Sequence, residues 1–288
     1  MQIHALAAPF GAEISGVDLS QPVPAALTSA IIGAMAEHSL LVFRDQALEP
    51  EDIVRFSRSL GTLRIPLNDQ YSIPGYEGLH RVSNILEGDR HVGLPDAGVF
   101  WHSDGAYMER PDLCTLLYSV EVPRDDRGEP LGDTVFASTR LAYEALPMEM
   151  SAKVDGLKAE FSVQKQYERK RRMGVLKREV LSGGQRGNAP DRVHPVVRTH
   201  PVTGQKNLFV SDGHTTRILG VPEEDSEPLL QALQAHILDP RFGYRHRWSE
   251  NEVVVWDNCS TQHLATFDYK LPQRRLMYRT SCIGSIPV

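Results

Sequence analysis

Short apolar, β-branched runs recur along this chain, with few helical stretches between them, and that constrains the fold more than any other feature. Leu40-Leu41-Val42-Phe43 reads as a buried strand, and Thr115 to Val122 alternates like one. Further strand-like runs cover Leu79–Val82, Val193–Thr199, Leu208–Val210, Tyr244–Trp248, Glu252–Asp257 and Arg275–Ile283. A doubly wound parallel sheet needs a helix after nearly every strand, and that alternation is missing here. The expected fold class is an all-β core with flanking helices, as a sandwich or jelly roll.

Helical spacing is clear in four places. Leu27, Ile31, Met35 and His38 define a helix over 24–38. A second helix follows Pro50, with Glu51 and Asp52 in its first turn, Ile53, Phe56 and Leu60 inward, and Gly61 as its stop. Residues 139–160 read as helical with a break at Pro147, and 224–238 as a helix capped by Ser226. Residues 64–100, rich in Gly, Pro, Asn and Asp, read as mostly loop around the Leu79–Val82 strand.

The chain has 288 residues, 31 of them Lys or Arg against 37 Asp or Glu, giving a net charge of −6. That length suits a single domain over 1–288, and the acidic balance argues against nucleic acid or an anionic membrane as partner. Cys114, Cys259 and Cys282 are widely spaced, which excludes a disulfide framework and a cysteine zinc knuckle. The first twenty residues lack a basic stretch followed by an apolar one, so a cytoplasmic location is expected. Residues 165–192 break the acidic balance, with Lys165, Arg169, Lys170, Arg171 and Arg172 in close succession. Such a run is a solvated surface helix or a mobile lid that draws an anionic substrate toward a pocket.

GxSxG, HExxH, GxxxxGK[ST] and a GxGxxG after a strand are all absent. Trp101-His102-Ser103-Asp104 is more telling, because alternate residues of an extended segment point the same way. His102 and Asp104 can therefore share one metal ion. His263 is presented where the Val254–Asp257 strand runs into a turn. Two imidazoles and one carboxylate make the facial triad of non-haem Fe(II) oxygenases, whose open positions accept a 2-oxo acid and dioxygen. The far carboxylate of that acid needs a cation. On a strand, Arg275, Met277 and Arg279 share one face, and the planar guanidinium fork binds carboxylates bidentately.

Seven segments in order, GAEISGVDL, LLVFRDQAL, WHSDGAY, GDTVFAS, HPVVRTHPVTGQKNLFV, WDNCSTQH and LPQRRLMYR, span roughly residues 9–284. Through them the chain resembles the taurine dioxygenase / 2,4-dichlorophenoxyacetate dioxygenase (TauD/TfdA) family of Fe(II)- and 2-oxoglutarate-dependent oxygenases. The resemblance implies a double-stranded β-helix core. It implies His102, Asp104 and His263 as ligands of Fe(II), and Thr134 and Arg275 as partners of the 2-oxoglutarate distal carboxylate. Arg279 falls at the family's arginine for the anionic end of the primary substrate, with Asn84, Phe209 and His214 as candidate pocket lining. Pro66 and Gly98 stand where taurine dioxygenase has a histidine and an asparagine for its substrate, so taurine is not the expected substrate. The segments 82–89 and 244–248 resemble the phenoxyacetate-oxidising branch more closely.

The implied reaction spends 2-oxoglutarate and O2 to hydroxylate an sp3 C–H of a small organic anion, a carboxylate or sulfonate, releasing succinate and CO2. Hydroxylation beside a heteroatom leads on to cleavage. The family also suggests a homo-oligomer, dimer or tetramer. Two rival readings keep the same triad: a metal- and anion-binding jelly-roll protein without oxygenase turnover, and a hydrolase or isomerase using Zn or Mn.

Overall fold

The structure, a computed structural model, describes residues 1–66, 69–175 and 190–288. The predicted basic stretch 165–192 therefore lies partly outside the described residues, at 176–189. No described helix is long and apolar enough to cross a membrane.

A mixed sheet forms the larger layer. In spatial order it runs β1 (Gln2–Ala5), β2 (Ala12–Ser15), β3 (Leu40–Phe43), β15 (Val253–Asp257), β7 (Asp112–Glu121), β17 (Leu276–Ile283) and β4 (His80–Ser83). All its pairings are antiparallel except β2 with β3. Its central strands β3, β15 and β7 are buried on both faces, which explains their unbroken apolar runs. Leu41, Phe43, Leu116, Tyr118, Val253 and Val255 point to one side, against α1 (Ala25–His38) and α2 (Pro50–Leu60). Their neighbours Leu40, Val42, Leu117, Val254 and Trp256 point to the other. The two-residue period of a strand divides each run between two cores.

The second core is closed by a smaller sheet, ordered β14 (Gly243–His246), β8 (Thr134–Ser138) and β16 (Thr261–Ala265). Phe136 and Tyr244 from this sheet meet Val254, Trp256 and Met277 of the larger one. The candidate site lies between these layers.

Both early helices start and stop as expected. Glu49 and Asp52 form a reciprocal capping box around Pro50, which satisfies otherwise orphaned donors. Ser39, in a left-handed conformation with φ 65°, ends α1 and turns the chain directly into β3. Two hairpin-sized pieces, β5 (Leu86–Glu87) and β6 (Arg90–His91), interrupt the long loop before β7.

A third layer is built on β9 (Lys158–Phe161), flanked by β10 (Arg192–Pro195) and β13 (Thr215–Leu219), with the β11 (Val197–Thr199) and β12 (Lys206–Leu208) hairpin beside it. The helical expectation for 139–160 holds for α3 (Thr139–Glu144) and α4 (Met148–Val154), separated at Pro147, but not for its end. Residues 158–161 are a strand because β10 and β13 hydrogen-bond to both of its edges. Next come α5 (Val163–Arg172) and, after β13, α6 (Glu223–Ile237). Ser226 is not the cap of α6. It lies within the helix, and its hydroxyl accepts the Ile218 N–H of β13 at 2.7 Å, tying helix to strand.

Candidate metal centre and active site

His102 and His263 come together because their backbones pair. His102 N–H donates to His263 O at 3.2 Å, and His263 N–H returns the bond to His102 O at 2.9 Å. His263 is thus held inside β16 rather than in the turn expected from the sequence, and its ring centroid lies 4.2 Å from that of His102. Asp104 follows in the turn that leads to β7. Gly105 permits that turn: its φ is +65°, and a β-carbon there would lie 2.8 Å from an Asp112 carboxylate oxygen. Only glycine meets both demands without strain.

One ligand atom from each of His102, Asp104 and His263 lies within 4.8 Å of the others. His102 Nε2 is 3.5 Å from Asp104 Oδ1, and His263 Nε2 is 3.7 Å from Oδ2. His102 Nδ1 sits 2.7 Å from the Phe100 carbonyl. A carbonyl can only accept, so Nδ1 carries the proton and the Nε2 lone pair faces the cluster. Burial, helped by His102, pushes His263 down to about 3, so its imidazole is neutral at physiological pH. Burial alone would raise the Asp104 carboxyl, but Arg279, His263 and His102 outweigh it and hold the group well below the usual carboxylate range. Two imidazoles and one carboxylate, converging and buried, are a donor set that fits a divalent first-row metal.

The carboxylate is oriented from behind. Thr115 Oγ1 donates to Asp104 Oδ2 at 2.6 Å, and Asn258 Nδ2 donates to that same hydroxyl at 3.0 Å. Asn258 Oδ1 accepts the Asp104 N–H and the Trp256 indole N–H, each at 3.1 Å. Neither Thr115 nor Asn258 was singled out from sequence. Asn258 stands inside the WDNCSTQH segment, which is the one signal that could have found it.

A cavity of about 210 Å³ opens over these ligands. Thr134, Arg275, Arg279 and His214 line it, and so do Pro66 and Gly98. Arg275 is 3% exposed, and its Nε has no hydrogen-bond partner among the described residues. Gly132, at φ +76°, lies so close that a β-carbon would sit 3.0 Å from that Nε. Thr134 Oγ1 accepts the Trp248 indole N–H at 3.1 Å, so its own proton is left to donate elsewhere. A buried guanidinium with an unpartnered nitrogen and a hydroxyl donor on one cavity wall suit the distal carboxylate of a 2-oxo diacid.

Arg279 reaches Asp104 Oδ1 at 2.7 Å with one nitrogen and His80 Nε2 at 3.2 Å with another. Burial would lower its pKa, but Asp104 and Asp112 raise it instead. Arg64 pairs with Asp112 at the same wall. His214 is buried at 3% exposure with its pKa well below normal, chiefly through burial and also through His102.

Two expected lining residues are placed elsewhere. Asn84 works on the backbone: its Oδ1 accepts the Arg275 N–H at 2.9 Å and its Nδ2 donates to Gln273 O at 2.8 Å. It orients Arg275 without lining the cavity. Phe209 belongs to the third layer, stacked 5.2 Å from Phe161 beneath the Arg198 guanidinium. The sequence could not separate these roles, because a residue near a motif can face its front or its back.

His200, Asp257 and Cys259 also cluster, but both nitrogens of His200 are engaged. Nδ1 accepts the Val202 and Thr203 N–H groups at 3.1 Å, and Nε2 donates to Asp257 Oδ2 at 2.6 Å. Burial pushes the Cys259 thiol up, away from the thiolate a metal requires. This cluster ties the hairpin to the end of β15.

The family described as taurine catabolism dioxygenase TauD, TfdA family matches residues 2–281. The chain is 32% identical over 290 residues to the alpha-ketoglutarate-dependent 2,4-dichlorophenoxyacetate dioxygenase of Cupriavidus pinatubonensis, covering 97% of this chain and 96% of that protein. It is 31% identical over 296 residues to the alpha-ketoglutarate-dependent sulfate ester dioxygenase of Pseudomonas putida, covering 100% and 91%. The crystal structure of a taurine dioxygenase from Burkholderia xenovorans aligns with a TM-score of 0.80 at 31% identity, over 100% of this chain and 90% of that one. Matched along nearly its whole length in sequence and in fold, the chain belongs to the TauD/TfdA family.

Proposed function

We propose that this protein is an Fe(II)- and 2-oxoglutarate-dependent dioxygenase that hydroxylates an sp3 C–H of a small organic anion. The observation that carries the reading is the convergence of His102, Asp104 and His263 within 4.8 Å, in a cavity that also receives Arg275 and Thr134. The overall reaction is R–H plus 2-oxoglutarate plus O2 giving R–OH, succinate and CO2. Hydroxylation beside an ether or ester oxygen leads on to cleavage, and the named relatives act on an aryl ether acid and on sulfate esters. The facing sheets are the two halves of a jelly-roll barrel in this reading.

His102 Nε2, a carboxylate oxygen of Asp104 and His263 Nε2 hold the iron. The metal with its 2-oxo acid supplies the oxidising chemistry when bound. The chain supplies position and dryness. Phe100 O fixes the His102 tautomer, and Thr115 and Asn258 fix Asp104. Arg275 and Thr134 bind the distal carboxylate of the cosubstrate, with Asn84 and Ser83 holding the Arg275 backbone in place. Arg279 faces the same cavity and meets the anionic end of the primary substrate, with His214 as a neutral polar wall. Orientation of this kind places the target C–H next to the oxidant and keeps water away.

The test is anaerobic addition of Fe(II) and then 2-oxoglutarate, followed by a panel of aryloxy acids, sulfonates and sulfate esters. A visible charge-transfer band that one panel member shifts, together with iron-dependent conversion of 2-oxoglutarate to succinate in air, is expected. Iron bound without a band or succinate would identify a metal- and anion-binding protein instead and overturn the proposal.

A further inference from the structure

α5 separates two cavities. Val163, Gln166, Tyr167 and Lys170 recur at helical spacing and line the metal-site cavity. On the adjoining face, Lys165, Arg169 and Arg172 line a second cavity of about 430 Å³, backed by α6. Residues spaced by three and four share a helix face, so the basic run is divided between two spaces. Gln166 and His214 belong to both linings and form the partition.

The second cavity is electrostatically distinct within a chain of net charge −6. Its three cations face two carboxylates, Asp212 and Glu227. Arg169 is fixed at the rim, 2.6 Å from Asp212 Oδ1 and stacked 4.4 Å from the Phe100 ring centroid. Lys165 stands 3.8 Å from Glu160, whose carboxylate already serves Thr216 and Arg217. Arg172 is exposed and makes no ion pair among the described residues. Arg169 and Lys165 thus each meet a carboxylate, and Arg172 is the cation of the row left without one among the described residues.

Few side-chain hydrogen bonds tie the partition among the described residues. Gln166 is unbranched and half-buried, and its side chain makes no hydrogen bond among the described residues. His214 is buried, and its Nδ1 has no partner there. A buried, unpartnered polar atom on a residue shared by two cavity linings can take a hydrogen bond from a polar group that reaches it.

We propose that the second cavity is the access chamber of the metal site: its cationic row collects small carboxylate and sulfonate anions, 2-oxoglutarate included, and the Gln166–His214 partition passes them inward. The inference rests on the function proposed above. Electrostatic steering of this kind raises association rates by roughly 10- to 1000-fold and fades as salt screens it.

The probe is 2-oxoglutarate itself, mixed anaerobically with the Fe(II)-loaded protein in a stopped-flow instrument while the charge-transfer band grows. The Lys165→Glu, Arg172→Glu double variant should lose about tenfold in association rate at low salt. Its rate should also lose the salt dependence of the parent. The final band should keep its position and intensity, because Arg275 and Thr134 are untouched. Gln166→Trp should slow association and dissociation together and leave Kd within about twofold, as an obstruction on the path requires. The milder Lys165→Gln, Arg172→Gln pair should fall between parent and double reversal. Association rates and salt dependence equal to the parent in these variants, with a normal band, would overturn the access chamber and leave the catalytic reading standing. No band in the parent, with iron bound, would overturn both.

Discussion

Asp104 shows how a single side chain at this site is determined by several others. Its Oδ2 is held by Thr115, its N–H by Asn258, and its Oδ1 by Arg279. Groups behind a metal ligand orient it, and their loss typically costs about 10- to 100-fold in metal affinity. Asn258→Ala should therefore weaken Fe(II) or Mn(II) binding by about that factor. Thr115→Val should do the same, while Thr115→Ser, which keeps the hydroxyl, should stay near the parent. Anaerobic metal titration measures all three, and a full-strength site in Asn258→Ala would remove Asn258 from this role. The convergence of His102, Asp104 and His263 was legible as a candidate site because a metal demands particular donors and the His-x-Asp spacing aligns two of them. Thr115 was not, because its neighbour is 11 residues away and is reached only through the fold.

At the scale of elements, α5 is the instructive case. Its sequence reads as a solvated helix, yet Lys170 is 3% exposed and donates to Asp96 O at 2.8 Å, with Oδ2 at 3.4 Å. Lys165 and Arg172 on the same helix are exposed. Removing one partner of a buried ion pair costs about 3–5 kcal/mol, whereas exposed changes stay within about 0.5 kcal/mol. Lys170→Ala should accordingly lower the urea midpoint strongly and Lys165→Ala hardly at all. Equal effects would contradict the burial difference. A run of like charges spells out one helix but not its orientation, because the choice of inward lysine is made by the loop carrying Asp96. The strand β9 teaches the same lesson: Lys158–Phe161 is extended because two neighbouring strands claim its backbone groups.

Across the whole molecule, the candidate metal site depends on how two sheets face each other. Phe136 sits at that junction, fully buried, with its ring 5.5 Å from Trp256 and 6.0 Å from His263. Phe136→Ala should cost about 3–5 kcal/mol of stability through the cavity it leaves. Because His263 is carried by the strand paired with β8, metal affinity should fall as well. Calorimetry and metal titration on one preparation test the coupling. A large stability loss with unchanged metal affinity would show the two to be independent.

By itself the sequence determined the strand-rich class, the two early helices with the stop at Gly61, the three candidate metal ligands and the common side of Arg275 and Arg279. Each of these rests on local chemistry: a two-residue or 3.6-residue period, a glycine that stops a helix, or a donor type fixed by what a metal accepts. The tertiary structure decided that His263 pairs through its backbone with His102 and that Thr115 and Asn258 stand behind Asp104. It also sent Asn84 and Phe209 away from the cavity and turned Lys170 inward while Lys165 and Arg172 on α5 faced out. Those outcomes depend on contacts between residues tens to hundreds of positions apart. Burial and partnership at such distances are properties of the packed chain, and no short stretch of sequence carries them.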